Sequence, residues 1–220
     1  MRNNSHCSRH GYFFAVVFFL SIATPANAAL VSRLGGQAVY DTDLDITWTA
    51  NANINGMMTW AAANTWTTNL VIDGVSGWRL PTTLQPDASC SEQDIGESWG
   101  YGCTGSEMGH LFYNELGGVA GSSILTTHNA NLALFQNVQF DYWSGTEYAP
   151  ITIGAWSYTF DSGRGSGYQN AIDKGVGLYA WAVHPGDVAA VPIPTAFWLF
   201  GSGLVGLFGF MRRRNNKINH

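Results

Sequence analysis

The sequence predicts an α+β domain, an antiparallel sheet with two helices, followed by one C-terminal transmembrane helix. Three observations carry this. Short alternating, aromatic-rich runs open and close the middle of the chain; two helix-spaced apolar stripes lie between them; a long apolar run ends on arginines. Strands, then helices, then strands, without a repeating βαβ order, is the pattern of an α+β fold with an antiparallel sheet.

The elements follow in chain order. Arg2 and Arg9 precede an apolar run from Tyr12 to Leu20, and small residues follow to Ala26, Ala28 and Ala29. A basic start, a short apolar stretch and an Ala-x-Ala exit predict a secretory signal peptide over residues 1–28, cut after Ala28. The run is short of the roughly 20 residues that span a bilayer, which argues against a permanent anchor. Residues 29–188 are the predicted globular domain, of ordinary single-domain size.

Ala38 to Trp48 reads as two short strands about an Asp-rich turn. Asp41, Asp43 and Asp45 suit a turn, because Asp side chains bond the local backbone. The alternative is calcium, since the spacing matches the start of an EF-hand loop. Ile46 stands where that loop needs glycine and Ala52 where it needs glutamate, which favours the turn. Thr59 is placed to cap a helix running to Leu70, with Trp60, Ala63, Thr67 and Leu70 on one face. Ser106 caps a second helix closed by Gly117 and Gly118, with Met108, Leu111, Phe112 and Leu116 as its buried face. Between the helices lies an irregular segment containing Cys90 and Cys103. The runs 139–145 and 155–160 alternate as strands, Gly163, Gly165 and Gly167 mark a hairpin turn, and 178–183 is the closing strand.

From Val188 to Met211 the only polar side chains are Thr195 and Ser202, and Arg212, Arg213 and Arg214 follow. Residues 189–214 are therefore predicted to hold a membrane-crossing helix, with Pro192 and Pro194 at its entrance, and a basic stop, with 215–220 a cytoplasmic tail. The small residues Gly201, Ser202, Gly203, Gly206 and Gly209 permit close approach of another helix.

Composition narrows the function classes. The 220-residue chain carries a net charge of −5. All fifteen acidic residues lie in the body, but only four of the ten basic ones do (Arg33, Arg79, Arg164, Lys174), so the body carries −11. A surface this acidic repels phosphate backbones and excludes nucleic acid as a natural partner. Cys7 leaves with the signal peptide, and Cys90 and Cys103 remain as an even pair in an oxidising compartment, best read as a disulfide. A thiol metal site lacks the histidine or second cysteine pair that would complete it. Nine Trp and nine Tyr are many for this length. Most are expected in the core, the usual place for large apolar surface. The three histidines of the body include no His-x-x-x-His pair, and a Ser-His-Asp set drawn from His110, His128 or His184 has no sequence support.

Two resemblances add to this reading. Val191-Pro192-Ile193-Pro194, the aromatic Gly-rich helix and the Arg212-Arg213-Arg214 stop resemble the PEP-CTERM sorting signals of Gram-negative bacteria. The usual motif has Glu between the prolines, where this chain has Ile193. The resemblance implies processing by an exosortase-like membrane protease after export by the Sec translocon and signal peptidase. The protein would then pass through the inner membrane to the cell surface or a biofilm matrix.

The second resemblance lies in the body. It is carried by Val39-Tyr40-Asp41, Thr47-Trp48, Met58-Thr59-Trp60, Gly77-Trp78-Arg79-Leu80-Pro81-Thr82, Ser106-Glu107-Met108, Tyr142-Trp143-Ser144-Gly145-Thr146 and Trp181-Ala182-Val183-His184-Pro185-Gly186. Together these look like the Lcl C-terminal domain family, related in fold to C-type lectins and to formylglycine-generating enzymes. The resemblance implies a C-type-lectin-like, secreted, non-catalytic binding or structural domain with no obligatory cofactor. Some members are adhesins for glycosaminoglycans, but a body charge of −11 argues against sulfated ligands and leaves matrix polysaccharide or a surface protein. The family usually has Arg at the position of His184. Gln85-Pro86-Asp87 resembles the galactose-type motif of calcium-dependent lectins, though no Trp-Asn-Asp strand follows it. Gln85, Asp87, Trp156 and Arg164 are the candidate ligand-binding residues, with calcium the one cofactor considered. Enzymatic activity of the formylglycine-generating type is the lesser alternative, and the cysteine spacing does not suit that chemistry.

Overall fold

The computed structural model describes residues 30–188. The signal-peptide residues, the sorting motif, the membrane helix, the basic stop and the tail lie outside the described residues. Among the described residues no helix is long and apolar enough to cross a membrane.

The body is α+β, with two sheets rather than one. Strands β1 (Leu30–Arg33), β2 (Ala38–Asp41) and β3 (Ile46–Thr49) form an antiparallel meander, and β11 (Val183–Pro185) adds to β3. The Asp-rich turn falls where the sequence places it. Asp41 Oδ1 accepts from the N–H groups of Asp43 and Leu44, both at 3.1 Å, the local bonding that makes Asp a turn former. The larger sheet has the order β4-β10-β7-β8-β9-β6-β5. Its strands are β4 (Met57–Met58), β5 (Glu92–Asp94), β6 (Glu97–Tyr101), β7 (Asp141–Glu147), β8 (Gly154–Thr159), β9 (Tyr168–Asp173) and β10 (Leu178–Tyr179). All pairs are antiparallel except β10 with β7.

The expected single closing strand is split. Residues 178 and 179 pair in the large sheet, and residues 183 to 185 pair in the small one. Trp181 lies between the two pieces, and its Nε1–H donates to the Thr49 carbonyl at 2.8 Å. The chain thus changes sheets at the residue that fills the space between them. Trp181 meets Trp48, Phe135, Tyr142 and Phe160 at ring separations of 5.2–5.4 Å. Met108, Leu111, Phe112, Leu116 and Val183 complete this core.

Helix α1 (Trp60–Asn69) starts and ends within a residue of its sequence bounds. Ala63 and Thr67 are buried on its inner face, which lies over Trp143, Leu80 and Leu178. Trp60 donates its indole N–H to the Ser144 carbonyl at 2.8 Å, tying the helix to β7. The second helix is short. One α-turn, α2 (Glu107–His110), passes into a π-turn at Leu111–Glu115. Its apolar face is the expected one: Met108, Leu111, Phe112 and Leu116 are all buried. Gly117, at φ 69°, ends it, and Gly118 N–H closes back on the Phe112 carbonyl at 2.8 Å. Ser106 occupies the N-cap position, yet its hydroxyl accepts from the Leu84 N–H instead.

Cys90 and Cys103 form a disulfide. A loop of this length stabilises the fold by about 3 kcal/mol on the chain-entropy model. Inside it lies the β5–β6 hairpin, in a segment with no regular hydrophobic pattern in the sequence. Glu92-Gln93-Asp94 has no strand-forming residue, so its pairing is a consequence of the closed ring and not of local preference.

The Trp78-Arg79-Leu80-Pro81-Thr82 segment is a brace. Arg79 exchanges backbone hydrogen bonds with Val183, both 2.8 Å. Its guanidinium grips the Glu107 carboxylate through two bonds of 2.7 and 2.6 Å, and Glu107 also accepts from Thr82 N–H at 2.7 Å. The small sheet and the start of α2 are held together through this one bidentate pair.

Candidate functional site

β6 shares a ladder with β9 only at Gly100 and Tyr101, so its first half parts from β9 and pairs with β5 alone. The departure turns on Gly100, whose φ of 95° lies in the left-handed region. A Cβ there would run into Ser91 Oγ. Where β6 and β9 part, a groove of about 320 Å³ opens, lined by Asp94, Glu97, Trp99, Tyr148, Trp156, Asn170 and Ala171.

Trp156, 3 % exposed, is packed within the sheet beside the groove. The Tyr148 ring stands edge-on to it at 5.4 Å, and the Tyr148 hydroxyl donates to Glu97 at 2.7 Å. That bond raises the Tyr148 phenol above its ordinary pKa. Trp99 and Tyr101, two residues apart on β6, share a face, and Tyr101 stands edge-on to Tyr168 of β9 at 4.9 Å. Half-exposed rings therefore run from the groove along the outside of β6 and β9. Ile151 and Ile153, exposed on the β7–β8 loop, flank a shallower depression that shares Tyr148 and Ala171 with the groove. The arrangement joins flat apolar rings to carboxylate and amide groups. It suits a ligand with apolar faces and hydroxyl edges.

A roomier recess of about 440 Å³ lies among Gln37, Asn51, Ile54, Leu70, Val71, Asp73 and Gln136. It has no aromatic ring, so it offers no stacking surface.

The candidate residues read from sequence fall in three places. Trp156 lines the groove. Arg164 lies beyond the far end of the aromatic row, where its carbonyl accepts from Tyr101 Oη at 2.5 Å. Gln85 and Asp87 are internal. Gln85 accepts from Ser98 N–H at 2.8 Å and donates to the Ser98 carbonyl at 2.7 Å. Asp87, 2 % exposed, accepts from Ser89 N–H and Oγ–H and from Gly105 N–H. The Gln85-Pro86-Asp87 segment, cis at Pro86, thus anchors the cysteine loop with its side chains turned inward. Gln85, Asp87 and Trp156 all bear on β6: two fix Ser98 and one faces Trp99 across the groove. Trp99, Glu97, Tyr148 and Asn170 are the members that sequence reasoning missed. Their only signal was an aromatic and an acid alternating at 97 and 99.

Asp87, Cys90 and Cys103 bring a carboxylate and two sulfurs together. The sulfurs are joined to each other, and Asp87 is already saturated by N–H and O–H groups. Asp45 accepts from Tyr40 Oη at 2.7 Å, while Asp41 faces the interior, so the Asp-rich turn does not present all three carboxylates to one calcium ion. Burial pushes the carboxyls of Asp41, Glu115 and Asp141 above their ordinary values. His128 Nδ1 faces the Ile124 carbonyl at 2.9 Å, and His184 packs on Trp78 at 5.6 Å. His110 faces Asn114 and carboxylates. Among the described residues none of these histidines is hydrogen-bonded to a serine hydroxyl. In comparisons with known proteins, no protein-family model and no curated protein matches the chain.

Proposed function

We propose that this is an exported surface or extracellular-matrix protein whose disulfide-bonded body is a non-catalytic, lectin-like module that takes a neutral glycan in the β6–β9 groove. The observation that carries the binding half is the groove itself. Trp99 and Tyr148 offer partly exposed rings above the buried Trp156, and Asp94, Glu97 and Asn170 offer hydrogen-bonding groups to sugar hydroxyls. The negative body charge favours an uncharged ligand over a sulfated or phosphorylated one. The export half rests on the chain ends: the signal peptide before Ala29, Val191-Pro192-Ile193-Pro194, and the Arg212-Arg213-Arg214 stop. In this reading an exosortase-like protease releases the body to matrix polysaccharide.

The test of export is the intact mass and location of the protein in its native host. The expected product begins near Ala29, ends between Val191 and Pro194, and is found outside the inner membrane. A product that keeps Arg212 to His220 and stays in the inner membrane would mean a permanently anchored periplasmic protein instead.

The test of binding is an array of neutral and sulfated oligosaccharides probed with the exported protein. A neutral hit is expected, and Trp99→Ala is expected to weaken it by about 2 kcal/mol, about thirtyfold, as loss of a central aromatic contact does. Trp99 is half-exposed, so its loss should leave the melting temperature nearly unchanged. Equal binding by Trp99→Ala and the parent would remove the groove from the proposal.

A further inference from the structure

Asp41 ends β2 and Glu115 ends the π-turn, far apart in sequence, yet they meet inside the protein beside His110. Asp41 is fully buried and Glu115 is 1 % exposed. Asp41 spends Oδ1 on the turn and lies beside the buried Trp48 indole N–H; Asp41 Oδ2, Trp48 Nε1, Glu115 Oε1 and His110 Nε2 all lack a well-formed hydrogen bond. One ligand atom from each of Asp41, His110 and Glu115 lies within 4.8 Å of the other two. Nε2 and Oε1 are 3.3 Å apart. Asp43 Oδ2 stands 4.0 Å from the same nitrogen, on the side that reaches solvent.

Buried carboxylates are costly unless paired, and the body's arginines and lysine are elsewhere, which leaves His110 as the one basic side chain beside them. Arg33 holds Asp187, Arg79 holds Glu107, Lys174 holds Glu147, and Arg164 is exposed. The π-turn is what aligns the set. In an α-helix, residues five apart point about 140° away from each other. The wider turn, closed by Leu116 N–H on the Leu111 carbonyl at 2.9 Å, returns Glu115 to the face of His110. Single π-turns of this kind are frequent at functional sites.

We propose that Asp41, His110 and Glu115 bind a divalent transition-metal ion of the zinc class, with Asp43 closing the site from the solvent side. The chemistry selects the ion. One imidazole and two or three carboxylates match zinc, whereas calcium takes six to eight oxygens and magnesium an octahedron of oxygens. A tetrahedral ion with bonds of about 2.0–2.1 Å has donors about 3.3 Å apart, as Nε2 and Oε1 are. Asn114 Nδ2 stands 3.1 Å from His110 Nδ1, and metal binding at Nε2 requires this amide to be turned over. With its amide oxygen turned to Nδ1–H, it leaves the Nε2 lone pair facing the carboxylates. The ion would pin the β2–β3 turn to the second helix.

The test titrates the full-length, chelator-stripped protein with Zn2+ against a fluorescent zinc chelator. A single high-affinity equivalent per chain is expected, together with a higher melting temperature in Zn2+ than in chelator. Glu115→Gln keeps the shape and removes a ligand charge. It is expected to lower zinc affinity at least about tenfold, since even outer-shell partners are worth about 10–100-fold. His110→Ala is expected to abolish the visible spectrum of a four-coordinate Co2+ derivative. Melting in chelator verifies that each variant is folded, and if Glu115→Gln does not fold, His110→Ala decides. No uptake by the parent protein would overturn the proposal. So would parental affinity in the folded variants, which would place the zinc elsewhere, as on the terminal histidines.

Discussion

Trp181→Ala is expected to cost about 3–5 kcal/mol, the range for deleting a buried aromatic ring. A domain's whole stability is only about 5–15 kcal/mol, so the variant should be partly unfolded at physiological temperature. The reason is position. Trp181 is fully buried and touches four other rings, two from strands of different sheets. Its removal opens a cavity where the small sheet meets the large one, and neither sheet can collapse into it without breaking its own ladder. The Thr49 carbonyl also loses its indole donor. Urea unfolding of the exported protein measures this. Trp66→Ala, on the half-buried side of α1, should cost much less. A Trp181→Ala loss below about 1 kcal/mol, outside the range for such a cavity, would mean that the two sheets do not share this core.

Gly109→Ala carries the second large effect, and its sign is the test. Gly109 has ordinary helical φ and sits in α2, so helix propensity alone predicts a gain of about 0.5–1 kcal/mol. The tertiary structure predicts the reverse. A Cβ at Gly109 would run into the Cys103 carbonyl oxygen and come 2.8 Å from the carbonyl carbon. Those are backbone atoms of a residue fixed by the disulfide, and Tyr158 closes the other side at 3.4 Å. The helix must then shift off the cysteine loop, a loss of about 3 kcal/mol, at the upper end of overpacking. Thermal melting of Gly109→Ala should show a fall of several degrees. An unchanged or raised melting temperature would show that α2 does not lie against Cys103.

Much of the body was legible because burial repeats with the period of the element. Ala63 and Thr67 on α1, and Met108, Leu111, Phe112 and Leu116 on the second helix, could be picked by spacing alone. The Asp-rich turn and the Gly117 stop followed from side-chain and backbone chemistry at single positions. The disulfide followed from counting cysteines. Where the local signal was weak or conflicting, the reading stopped short. Glu92-Gln93-Asp94 pairs because the ring is closed, and the 178–183 run divides because its middle residue fills the gap between sheets. The π-turn has no mark in the sequence, and it separates an ordinary helical histidine from one facing Glu115.

The candidate site shows the same limit. The sequence pointed to Gln85 and Asp87 through a short motif, and the fold turns both inward onto Ser98 and Gly105. The groove depends on Gly100 bending β6 away from β9, which a Gly within a polar loop does not reveal.

By itself, then, the sequence determined the α+β class, the inner faces of both helices, the cysteine pairing and the acidic character of the body. Each of these depends on residue type and near-neighbour spacing. Tertiary structure alone decided the two-sheet arrangement, the groove between β6 and β9, and the meeting of Asp41, His110 and Glu115. These depend on which distant segments pack together, and periodicity records that a residue is buried without recording against what.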